Sequence, residues 1–181
     1  MCRLQQGVGV IIGAIALALS AISLAHASSL RSGTAAFGRE DYVTAAAILG
    51  PLDERGVATA QTHLGFMYAN GRGVPQSYVE AARWYCRAAI QDDATAQYML
   101  GLMYDKGHGV RENKIEAHKW LNLAAAHAPR SDREDWVRIR DAVRSKLTLA
   151  QFAEAQRRAV DWRPWRHLGH RIGPTYCDQP L

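Results

Sequence analysis

The sequence predicts an all-α fold, a short solenoid of antiparallel helix pairs with capping helices at its C-terminal end. Three observations predict it. Residues 58–91 laid over 94–127 match at 16 of 34 positions, where chance gives about two. Within each copy the apolar residues recur at helical spacing. And four Ser, Thr or Asn residues stand three positions before a Glu or Gln, which is the spacing of a capping box: Ser77 with Glu80, Asn113 with Glu116, Ser131 with Glu134, and Thr148 with Gln151.

In chain order, residues 1–27 read as a signal peptide. Arg3 gives a positive start, Val8 to Leu24 is uncharged and apolar, and "AHA" at Ala25–Ala27 is a small-residue cleavage site. An uncut anchor or a core helix is the alternative. Residues 35–56 read as an N-terminal half-repeat, because Tyr42, Ala45 and Ala46 fall on Tyr78, Ala81 and Ala82 after a shift of 36. Repeat one is 57–92 and repeat two is 93–128.

In the first helix of each repeat, Ala60, Leu64, Met67 and Tyr68 share a face, as do Ala96, Leu100, Met103 and Tyr104. Gly65 and Gly101 sit inside those helices at a propensity cost of up to ~1 kcal/mol, which implies close approach of a neighbour. Gly71, Gly73, Gly107 and Gly109 suit the left-handed conformation that ends helices. The second helices carry Trp84 and Trp120 among alanines, as large knobs among small holes. Residues 130–163 then place Trp136, Ile139 and Val143 on one face and Phe152, Ala155 and Ala159 on another. This charge-rich pair suits a polar cap. Residues 164–181, with Pro and Gly, read as a flexible tail.

Removing residues 1–27 from 181 leaves 154, enough to bury a core without staples. Ser28–Ala128 has ten basic and ten acidic residues, whereas Pro129–Leu181 has eleven and seven. That excess suits an acidic partner or an anionic envelope surface, or simply a solvated face. Two cysteines remain, Cys86 and Cys177. In an oxidising compartment they could pair, closing a long loop worth ~4 kcal/mol. A lone buried thiol at Cys86 is the other reading.

No catalytic, cofactor or metal site is expected. No G-x-S-x-G or S-x-x-K occurs. Gly71 and Gly73 follow a helix and lack the lysine and hydroxyl of a P-loop. His167 and His170 with Cys177 leave a metal one ligand short. A secreted chain of moderate basicity is not expected to bind nucleic acid.

The pattern A-x-A-x-x-x-L-G-x-x-Y-x-x-G-x-G-V followed by E-A-x-x-W-x-x-x-A-A, carried by Ala58–Ala89 and Ala94–Ala125, resembles the Sel-1-like repeat, a relative of the tetratricopeptide repeat. The resemblance implies a right-handed superhelix with a concave face. It also implies a non-catalytic scaffold or adaptor that binds another protein or peptide in the bacterial envelope, periplasmic or secreted, possible regulators among them. Two alternatives stand beside it: a β-lactam- or cell-wall-active enzyme like the family's cysteine-rich secreted subgroup, and a binder of anionic envelope surface. That subgroup pairs cysteines between the two helices of one repeat. Here the repeat copy of Cys86 is Asn122. Partner contacts are expected where the copies differ: Thr62/Tyr98, Asn70/Lys106, His63/Met99 and Ala69/Asp105.

Overall fold

The computed structural model describes residues 27–53, 57–162 and 177. They form eight helices: α1 (27–38), α2 (Tyr42–Asp53), α3 (Ala58–Asn70), α4 (Tyr78–Ala89), α5 (Ala94–Lys106), α6 (Lys114–Ala126), α7 (Arg133–Arg144) and α8 (Leu149–Val160). Residues 1–26, where nearly all of the expected signal peptide falls, lie outside the described residues.

The repeat units are α3–α4 and α5–α6, and α4 packs on α5 to join them. Their shared faces are buried as the spacing predicts. Ala60, Leu64 and Met67 are buried in α3, and Ala96, Leu100 and Met103 in α5. Ala81, Tyr85 and Ala88 are buried in α4, and Ala117, Trp120, Leu121 and Ala124 in α6. A large apolar side chain such as Leu100 contributes roughly 1.5–3 kcal/mol by leaving water. Gly65 and Gly101 have the predicted packing reason. A Cβ on Gly65 would lie 2.7 Å from the Tyr85 ring, and one on Gly101 would lie 2.7 Å from Leu121.

The glycine turn does more than end a helix. Gly71 and Gly107 are left-handed C-caps that donate to Met67 O and Met103 O. The second glycine of each turn is also left-handed, and it lies against the preceding unit. A Cβ on Gly73 would meet the Tyr42 backbone at 2.6 Å, and one on Gly109 would run into the Tyr78 carbonyl. Arg72 sits over the Tyr42 ring at 5.3 Å, and His108 stacks on Tyr78 at 4.9 Å. Each turn therefore seats on the start of the second helix one unit earlier, and does so in both copies.

Gln61 and Gln97 add a second junction. The Gln97 amide donates to Ala89 O, at the end of α4, and to Asp92 Oδ1. It thereby ties the first turn of α5 to the end of α4. Gln61 accepts from Gln91.

Three expectations need correction. The half-repeat expected from residue 35 has its first helix after all. In α1, Gly33 lies against Leu49 of α2, as Gly65 lies against Tyr85, and Ala36 is buried. The link from α1 to α2 is shorter than the glycine turn, so a shift of 36 loses the correspondence. Second, Ser131 does not cap α7. Asp132 is the N-cap residue, in right-handed geometry and without a side-chain cap bond. The other three starts do cap: Ser77 accepts from Glu80 N, Asn113 from Ile115 N and Glu116 N, and Thr148 with Gln151 makes a full capping box. Third, the tail is not loose at Cys177, which is fully buried and bonded to Cys86. The rest of the expected tail lies outside the described residues.

At the far end, α7 and α8 each pack mainly on α6. His118 of α6 is buried between them, edge-on to Phe152 at 5.3 Å, with its Nδ1 lacking a partner. Burial lowers its pKa from the usual value. Arg140 and Arg144 of α7 act in the same direction, and Asp141 opposes them. The unfolded chain therefore takes up a proton near pH 6.5 that the folded chain refuses. Stability is expected to be level above about pH 7 and to fall as pH drops below about 6.5. Urea midpoints between pH 7.5 and 5.5 check this, and His118→Leu should flatten the profile. An unchanged slope in that variant would refute the assignment.

Candidate functional site

The first helices of successive units, α1, α3 and α5, border a groove of about 330 Å³. Phe37 comes from α1. Thr59, Thr62, His63 and Phe66 come from α3, one to two turns apart on one face. Asp93, Thr95 and Met99 come from the start of α5, and Tyr85 reaches in from α4. The α1 side is an aromatic cluster: Phe37 stands edge-on to His63 at 4.1 Å and to Phe66 at 5.3 Å. Tyr85 is buried, and that burial pushes its phenol pKa upward. At pH 7 it is a neutral side chain whose hydroxyl donates or accepts.

Of the positions expected to meet a partner, Thr62 and His63 in repeat one and Met99 in repeat two line this groove. Thr62 Oγ1 donates to Ala58 O of its own helix. Tyr98, the copy of Thr62, is taken up internally: it stacks on Trp136 of α7 at 4.6 Å with rings 10° from parallel. Asn70 and Lys106 stand in the last turns of α3 and α5, outside the groove lining. Asn70 donates to Phe66 O, and Lys106 lies 3.6 Å from Asp105. Asp105 is buried and ion-paired to Lys114 at 3.0 Å and Lys146 at 2.9 Å. Burial alone would raise its pKa, but these two lysines outweigh it and hold the carboxyl low.

The motif residues Leu64, Tyr68, Trp84, Leu100, Tyr104 and Trp120 belong to the core or its margin. Sequence reasoning missed the groove residues Phe37, Thr59, Phe66, Asp93 and Thr95. The first lies in the unrecognised α1. Thr59 and Thr95 are identical in the two copies, so a search for differences passes over them.

Among the described residues, several basic side chains near the C-terminus are ion-paired. Arg138 pairs with Asp135, Arg140 with Asp141, Arg157 with Glu154, and Arg158 with both Glu116 and Glu154. Lys119 is buried beside Glu116 at 2.8 Å, over the rings of Trp120 and Trp162. Burial pulls the Lys119 pKa down. Glu116 stays low, because Lys119 and Arg158 outweigh the desolvation that would raise it.

Cys86 of α4 is joined to Cys177, across 91 positions of sequence and not to a cysteine of its own repeat. Such a bond is consistent with an oxidising, extracytoplasmic compartment. Among the described residues no helix is long and apolar enough to cross a membrane.

Comparison with known proteins agrees with this architecture. The Sel1 repeat profile matches residues 58–93 and 94–128. A Sel1 repeat protein from Oxalobacter formigenes has a solved structure 35% identical to this chain, with a TM-score of 0.53, covering 55% of this chain and 39% of that one. The structure of c5321 is 26% identical with a TM-score of 0.67, covering 74% of this chain and 29% of that one. It is described as a protective antigen present in uropathogenic Escherichia coli strains and displaying an SLR fold. The chain thus spans about a third of the length of these two structures. No curated protein matches it. Two matched repeats and their 36-residue register show that residues 58–128 are Sel1 repeats, and the structure is similar to those of Sel1-like repeat proteins.

Proposed function

We propose that the chain is a non-catalytic scaffold of the bacterial envelope, periplasmic or secreted, that holds a segment of another protein in the groove between α1, α3 and α5. One observation carries the reading. The position that Tyr98 fills by stacking on Trp136 is occupied in repeat one by Thr62, and there the groove stays open. The walls are helices fixed by the core, so binding orders little of the scaffold. Sel1 repeats typically mediate protein interactions, which supports the same reading.

A photocrosslinking residue at Thr62 is expected to capture a partner in intact cells. The same residue at Val160, exposed on α8, is not. Thr62→Trp fills the groove and should weaken the captured partner's binding at least tenfold without lowering the melting temperature. Equal capture from both positions, or full binding by Thr62→Trp, would sink the proposal.

A further inference from the structure

We infer that the groove takes a partner segment carrying a basic side chain, Arg or Lys, which seats at Asp93, with an apolar side chain about four residues away packing on the Phe37 and Phe66 cluster. The inference rests on the groove reading above and adds the chemistry of the occupant.

Charge is the first argument. Asp93 is the one charged side chain in the groove lining. Its Oδ1 caps α5 by accepting from Ala96 N at 2.8 Å, and among the described residues it forms no ion pair. Neighbouring Asp92 is held by the neutral amide of Gln97 at 3.0 Å, which leaves its charge intact. The α5 N-terminus carries about half a positive charge, too little to cancel two carboxylates. The groove end is therefore negative on a chain whose net charge is +5. An acidic segment is disfavoured there, and a cation gains an uncommitted counter-charge.

Spacing is the second argument. The repeat places Asp93 level with Val57, because 93 − 57 is 36. Phe66 lies nine residues further along α3. Nine helical residues rise about 13 Å, a length that extended chain covers in about four residues. At that far end Phe37, His63 and Phe66 meet ring to ring. Their faces and edges receive apolar side chains, and aromatic faces along the way also favour a passing cation.

The test is selection of a random dodecapeptide display library on the oxidised protein, with counter-selection on Thr62→Trp. The expected outcome is enrichment of peptides with Arg or Lys about four positions from an apolar residue. A synthetic copy of the strongest should bind Asp93→Asn about tenfold more weakly, while that variant melts like the parent, because Asn also caps helices well. Enriched peptides without a basic residue, or indifferent to Asp93→Asn, would overturn this inference and leave the groove reading standing. No enrichment, or equal binding to Thr62→Trp, would overturn both.

Discussion

Gly109→Ala is expected to destabilise the protein by about 3 kcal/mol or more, whereas Gly107→Ala, two residues away, should cost only ~1–2 kcal/mol. Both glycines have φ of +69°, so both substitutions carry the left-handed penalty. They differ in what a Cβ would meet. At Gly107 the nearest atom is Glu112 Cβ at 3.5 Å, an ordinary contact. At Gly109 the Cβ would collide with the carbonyl and peptide nitrogen around Tyr78, and backbone cannot rotate away as a side chain can. Relief requires lifting the turn off α4, which also breaks the His108–Tyr78 stack. Thermal melts should separate the two variants by several degrees. Equal melting temperatures would mean that the turn is merely a helix end.

Replacing both Cys86 and Cys177 by alanine should lower stability by about 4–5 kcal/mol, from the entropy that a loop of this length returns to the unfolded chain. Their separation is 91 positions, and both side chains are fully buried in the core cluster that also holds Trp120. Reductant should shift the denaturant midpoint of the parent protein and leave the double variant unmoved. A parent midpoint indifferent to reductant would show that the cross-link contributes nothing.

The helices of the two repeats were legible because their constraints are local and written twice. Copying exposed Leu64/Leu100 and Gly65/Gly101 as core positions, and cap chemistry marked Ser77, Asn113 and Thr148. What was hidden depends on long-range packing or on a changed spacing. Gly33 performs the task of Gly65, but a shorter link takes it out of register. Ser131 has the right spacing and the wrong turn, because Arg133 N bonds back to Pro129 O and helix geometry begins before a cap can form. The second glycine of the turn looks like local punctuation in the sequence, but its constraint comes from a residue 31 positions away.

The groove itself was half visible. Comparing copies found Thr62, His63 and Met99. It also found Tyr98, whose ring is spent on Trp136, and the comparison could not separate them, because α7 offers no repeat motif to reveal that it covers one copy and not the other. Asp93 stands one residue before the matched segment, which begins at Ala58 and Ala94, so a comparison of the copies does not reach it.

The disulfide divides the molecule into a tethered and an untethered part. Its loop encloses α5 to α8, while α1, α2 and α3 lie wholly outside it. The boundary runs along the groove: Asp93, Thr95 and Met99 stand on the cross-linked side, and Phe37, His63 and Phe66 stand on the other. The cleft therefore has one wall inside the covalent loop and one held by packing alone, like a clamp whose two jaws are fastened differently. A segment held by both jaws would lend the N-terminal helices a constraint that covalent structure does not give them.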